Sequence, residues 1–200
     1  SMAIFFYLIF VYRNDVLKKI IEIKFYGLLG GVVLSLSNIC FILSMTSTTV
    51  ANTVFTISLI PFLTAFFSFL ILKEKLAKIT IFTMLLAFGG VLVMFYGVLL
   101  IGALWGNILA LFAAICFSIF TIILRRNKNI DMLPCLLISG IIAMALSLFQ
   151  KMGSLQISSN DFFLCFILGA VLSGFVNCCF VFATRHLIAA EVTLFFFIEI

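Results

Sequence analysis

Residues 29–52 read LGGVVLSLSNICFILSMTSTTVAN, and residues 168–191, LGAVLSGFVNCCFVFATRHLIAAE, repeat them. Leu29-Gly30 aligns with Leu168-Gly169 and Val32 with Val171. Asn38, Cys40, Phe41 and Ala51 align with Asn177, Cys179, Phe180 and Ala190. Both copies are apolar enough to lie in a membrane, but their flanks differ in charge. Lys18, Lys19 and Lys24 precede the first copy, whereas the second follows the polar stretch 153–161, whose basic neighbour is Lys151. Because basic loops stay on the cytoplasmic side, the two copies are expected to cross the bilayer in opposite directions.

The rest of the chain agrees with a membrane setting. Of its 200 residues, 66% are hydrophobic and 10% charged, with 26 Phe and 2 Pro, whereas a soluble domain keeps roughly 25% charged residues. The expected fold is all-α, a polytopic membrane helix bundle with inverted structural repeats. The net charge of +5 sits in short clusters between apolar runs rather than on a continuous face, so it reads as a topology signal and not as a nucleic-acid surface. The six cysteines fall inside or at the ends of apolar runs, without a C-x-x-C pair and with one His in the chain. They read as small buried apolar residues, with no metal site, disulfide framework or cofactor implied.

Apolar runs bounded by polar or turn residues predict complete helices at 25–45, 49–72, 79–98, 103–124, 133–150 and 162–184, each near the ~20 residues that cross a ~30 Å core. Partial helices flank them: Ser1 to Tyr12 is about half a crossing, and the run after Glu191 stops at Ile200. The expectation is a piece of a longer protein, cut inside a helix at both ends. Loops 13–24, 73–78, 125–131 and 185–187 share one side and hold eleven of the 12 Lys and Arg, Lys151 being the exception. That side is expected to be the cytoplasm, with the protein in the cell (inner or plasma) membrane. Trp105 and Tyr96 near one boundary, and Tyr12 and Tyr26 near the other, suit an aromatic belt. Gly27-x-x-x-Gly31 on the first copy, and Gly169-x-x-x-Ser173 with Ala170-x-x-x-Gly174 on the second, would let helix backbones approach closely.

A further set of residues resembles a known family. Ala51-Asn52-Thr53-Val54-Phe55, Pro61 ahead of Lys73-Glu74-Lys75, Ala87-Phe88-Gly89-Gly90-Val91, and Gly106-Asn107 followed by Ala110, Ala113-Ala114 and Ser118 resemble the drug/metabolite transporter superfamily, EamA type. The resemblance implies a ten-helix permease of two inverted five-helix halves with cytoplasmic termini. On that mapping, residues 1–98 are part of the first repeat (the end of helix 2 and helices 3 to 5). Residues 99–200 are part of the second (helices 6 to 8 and the start of helix 9).

Polar groups inside the hydrocarbon are the candidate site, because a central charge costs around 2.5–3.5 kcal/mol on the insertion scale. Glu199 lies about ten residues past the inner boundary, roughly 15 Å deep. A carboxylate there can bind a cationic or amino group, or carry a proton whose gain and loss drives transport. Asn38 and Asn177 are repeat equivalents at mirrored depths; their amides suit a zwitterionic or sugar-like solute and equally bond helix to helix. In helix 49–72, Thr53, Thr56, Thr64 and Ser68 fall within one ~120° arc, with Asn52 at its edge, and this stripe is expected to face the bundle interior. Pro61 lacks an N–H and displaces the carbonyl of Ile57, freeing that oxygen for solute, water or a neighbouring hydroxyl. Hydroxyls can instead bond back to their own helix. Glu74, between Lys73 and Lys75, matches the charged helix end that the resemblance implies and is expected to pair locally at the cytoplasmic face. Arg125, Arg126 and Lys128 read as headgroup anchors, and Arg185-His186 as a solvated boundary pair.

The function these residues point to is a secondary transporter of small metabolites, amino-acid-like or other small polar solutes, by alternating access between two inverted repeats. No G-x-x-x-x-G-K-[ST] is present, so energy would come from a gradient or from the solute. The expected partners are the solute, the bilayer, a coupling proton or ion, and a second copy of the chain in a homodimer; nucleic acid is not among them. An intramembrane enzyme is the alternative from another class, though the chain lacks an H-E-x-x-H or a His pair. A channel or helix-assembly protein is the third reading.

Overall fold

The computed structural model describes residues 24–74, 77–94, 104–150, 163–164, 167, 169 and 174–195. Among them there is no strand. The helices are α1 (Lys24–Ser47), α2 (Val50–Ile57), α3 (Ile60–Phe67) running into a π turn (Ser68–Leu72), α4 (Lys78–Met94), α5 (Leu104–Arg126), α6 (Pro134–Gln150), α7 (Gly174–His186) and α8 (Ala189–Leu194). Phe25–Ser47, Val50–Leu72 and Leu104–Arg126 are each long and apolar enough to cross a membrane; Lys78–Gly90 and Pro134–Leu146 are shorter apolar helices. The fold is the expected all-helical membrane bundle. The helix expected at 162–184 is described as a continuous helix from Gly174 onward, and the one at 79–98 as far as Met94. Much of the small-residue face at 169–174, Tyr12, Tyr96 and Lys151 lie outside the described residues. Gly169 meets nothing within 4 Å.

The expected single helix 49–72 is interrupted. It ends at Ile57, turns through Ser58 and Leu59, and restarts at Ile60 with Pro61 in the first turn. A proline cannot donate to the carbonyl four residues back and its ring crowds that carbonyl, so the chain ends one helix and begins the next, where the missing N–H has no intrahelical partner in any case. Ser58 N–H still reaches Val54 O at 3.0 Å and Leu63 N–H reaches Leu59 O at 3.0 Å, so the two pieces stay in line as one span.

At the centre of the bundle is α5, packed against α1, the 50–72 span and α7. Gly106, Ala110, Ala114 and Ser118 recur every fourth residue on α5 and are all buried. Small side chains on one face let neighbouring backbones approach closely, which is what drives association where lipid already satisfies apolar surface. α1 crosses α6 at Gly31, where a Cβ would stand 2.7 Å from Ile138 Cγ2 and 3.0 Å from the Cys135 carbonyl. One apolar core joins Leu34, Phe120, Ile123, Leu124, Met132, Cys135, Leu136 and Val181 across α1, α5, α6 and α7. A smaller one joins Ala65, Met84 and Ala190 across α3, α4 and α8. Elsewhere α4 turns large side chains such as Phe82, Leu86 and Val93 outward, as a lipid-facing helix does.

Candidate functional site: two matching corners on one helix, joined by a polar seam

The sequence repeat becomes a structural one at the two joints where a long helix ends and a new one begins. α1 ends at Ser47 and α2 begins at Val50; α7 ends at His186 and α8 begins at Ala189, the repeat equivalents of those positions. Thr48 N–H reaches Ser44 O at 2.9 Å and Leu187 N–H reaches Ala183 O at 2.9 Å. Thr53 N–H reaches Thr49 O at 3.1 Å and Val192 N–H reaches Ile188 O at 3.1 Å. The residues before the second helices, Thr49 (φ −72°, ψ 148°) and Ile188 (φ −63°, ψ 143°), are both extended. The first corner contacts the start of α5 and the second its end, so the two copies run in opposite directions along that helix.

Neutral groups hold the first corner. Ser44 Oγ donates to Gly106 O at 2.8 Å, which leaves it to accept from Thr53 Oγ1 at 2.9 Å. Asn52 Nδ2 donates to Thr48 Oγ1 at 3.3 Å, and Thr48 Oγ1 donates to Asn107 Oδ1 at 3.2 Å. Thr49 Oγ1 caps α2 by accepting from Asn52 N–H at 3.2 Å. Gly106 makes this possible, since a Cβ there would lie 2.6 Å from Thr48 Cβ and 2.9 Å from the Ser47 carbonyl carbon.

Charges hold the second corner. Arg125 Nε donates to Glu74 Oε1 at 2.9 Å, and its Nη1 donates to Thr184 O at 3.3 Å and Arg185 O at 3.2 Å, the last carbonyls of α7. Arg185 in turn pairs with Asp131, whose Oδ1 also accepts from Leu133 N–H ahead of α6. Glu74 is presented to Arg125 by local backbone chemistry. The π turn ends at Lys73 in the left-handed region, φ 54°, a conformation that costs an L-residue on the order of 1 kcal/mol. This turn folds the chain back so that Ser68 Oγ donates to Glu74 Oε2 at 2.9 Å. Two expectations are corrected here. Glu74 pairs across the bundle with Arg125, and Arg125 is a part-buried clamp and not a headgroup anchor. Arg126 and Lys128 are exposed. His186 is exposed as expected, lying on the Phe182 ring with centroids 4.9 Å apart.

Between the corners runs a seam of hydroxyls and backbone carbonyls. Thr53, Thr64 and Ser68 are fully buried, as the stripe implied, and Thr56 is half-buried. Ser37 Oγ donates to Ala113 O at 2.9 Å, and Ser118 Oγ is shared between Ala114 O at 2.8 Å and Ile60 O at 3.3 Å. Thr56 Oγ1 bonds back to Asn52 O at 2.8 Å. Among the described residues Thr64 Oγ1 is buried without a hydrogen-bond partner.

The sequence candidates therefore separate. Asn52 and Thr53 join the first corner, Thr56 bonds its own helix, and Pro61 is buried at the restart of α3. Asn38 is exposed on α1 and Asn177 is half-buried on α7. Glu199 lies outside the described residues. Ser44, Thr48, Asn107 and Asp131 were missed; the polar run Ser44 to Thr49 near the end of the first copy is a signal for Ser44 and Thr48, whereas Asn107 and Asp131 lie outside both copies.

An all-helical bundle with two antiparallel copies of one unit and a polar seam between its ends defines a polytopic membrane protein. Residues 1–96 match the family model of the EamA-like transporter family. That match is consistent with an EamA-type protein of the drug/metabolite transporter superfamily, a family of membrane transporters of small molecules. Comparison with curated proteins and with solved structures returned no match.

Proposed function

We propose that the chain is a secondary transporter of small polar metabolites that works by alternating access between its two inverted repeats, residues 1–98 and 99–200. The observation that carries this reading is the pair of like-shaped corners placed at opposite ends of α5. A carrier must open at either face in turn, and two copies of one element in opposite orientation provide two related gates. The seam between them offers neutral hydroxyls, with Thr64 Oγ1 ready for a solute or water and Asn52, Thr53 and Thr56 further along the same span toward the first corner. Asn38, Asn177 and Pro61 are secondary candidates, and Glu199 is the candidate proton carrier or amine ligand. The corner built from Arg125 and Arg185 faces the cytoplasm in this reading, because loops 73–78, 125–131 and 185–187 carry the basic residues.

The test is flux in proteoliposomes of the full-length protein, screened with amino acids, nucleobases, sugars and polyamines. A carrier gives saturable uptake that a trapped solute accelerates, returns the solute chemically intact, and loses pH dependence in Glu199→Gln. Uptake that rises linearly without counter-exchange would instead indicate a channel, and a chemically altered solute an enzyme.

A further inference from the structure

The two corners share a backbone but differ in chemistry. Hydrogen bonds between neutral side chains inside a membrane are worth about 1 kcal/mol each and do not depend on salt, and those are what hold the first corner. The second is held by a chain of charges: Glu74 to Arg125, Arg125 to the carbonyls ending α7, and Arg185 to Asp131. Charges are expensive to part in hydrocarbon, yet these four are not sealed in it. Their side chains are 13% (Arg125), 22% (Glu74), 29% (Arg185) and 18% (Asp131) exposed, so water can take over each partner when the pairs separate. Such a contact is firm when closed and reversible when opened.

The elements it joins give it a mechanical meaning. Arg125 lies in the last turn of α5, Glu74 follows the 50–72 span, and the carbonyls of Thr184 and Arg185 belong to the α7–α8 corner. Arg185 serves twice: its carbonyl accepts from Arg125 while its guanidinium pairs with Asp131 at the entry to α6. Loss of Arg125 therefore removes the polar tie of the end of α7 to α5 and the 50–72 span, leaving the Asp131 pair and the apolar packing of Val181 and Ala190.

We infer that Arg125 is the positioning residue of a charged latch, formed with Glu74, Asp131 and Arg185, which holds the α7–α8 corner shut and whose release opens the basic end of the bundle. The inference rests on the transporter reading for its place in a cycle. Because the opposite corner is neutral, the latch is the salt-sensitive gate of the two.

Amide hydrogen exchange on the full-length protein in lipid nanodiscs tests this without a known solute. Arg125→Gln should speed exchange over 184–190 about tenfold and slow it over 45–52, because opening one end closes the other. Raised salt should push the wild type the same way. A strut that merely stabilises the fold would, when cut, speed exchange at both corners; that result, or no change at either, overturns the latch. Should Arg125→Gln fail to fold, Asp131→Asn leaves the Glu74 pair in place, and exchange over 45–52 decides by the same criterion. Wild-type flux judges the transporter reading, and the contrast between variant and wild type judges the latch, so the two can fail separately.

Discussion

Thr64 shows how one hydroxyl separates stability from function. A buried polar atom without a partner costs roughly 1–3 kcal/mol, and Thr64 Oγ1 is in that position among the described residues. Valine has the same shape without the oxygen. Thr64→Val should therefore leave thermal stability unchanged or raise it by up to about 1 kcal/mol, while solute flux falls; melting and uptake measured on the same preparation read both. A drop in stability with intact flux would assign the hydroxyl to packing. The burial of Thr53, Thr64 and Ser68 was legible in the sequence, because helical periodicity alone places them on one face. The exposure of Asn38 was not, since what covers a residue depends on which neighbouring helix passes there. Its neighbour Ser37, unremarkable in the sequence, is the residue that bonds α5.

At the scale of elements, crossings are decided by single glycines. A Cβ on Gly31 would overlap Ile138 and press on the Cys135 carbonyl, whereas one on Gly30 would sit at 3.7 Å from Ile123 and 3.8 Å from Phe120, in ordinary contact. Gly31→Ala should destabilise the protein by about 1–3 kcal/mol, the usual penalty of overpacking, and Gly30→Ala by much less. Melting of the two variants side by side measures the difference, and equal effects would mean that α1 and α6 do not meet at Gly31. The sequence suggested close approach on this face through Gly27-x-x-x-Gly31, and the partner, α6, came from the structure. The charged corner was less legible. Proximity in sequence favoured a local partner for Glu74, but the π turn and the left-handed Lys73 rotate the carboxylate back over Ser68 toward Arg125. That outcome depends on the last turn of one helix and the far end of another.

For the whole molecule the consequence is directional. If α1–α2 and α7–α8 are inverted copies in a bilayer, tags in loops 73–78 and 185–187 should both be reached by an impermeant reagent from the cytoplasmic side. A tag at 46–48 should be reached from the opposite side. Labelling of right-side-out and inverted vesicles reads this, and a tag at 46–48 accessible together with one at 185–187 would contradict the inversion. What the sequence determined by itself was the membrane solvent, the helical class and the repeat. Each follows from local quantities: hydropathy over ~20 residues, the need of each lipid-facing backbone to satisfy its own hydrogen bonds, and residue identity at fixed spacing. What only the tertiary structure decided was the use of the polar residues. Asn52 was drawn into a corner, Asn38 was left on the surface, and Glu74 was matched with Arg125. The difference is physical: a hydrogen bond or ion pair is made over about 3 Å, and which two groups come that close is set by how whole helices cross, not by the residues beside them in the chain.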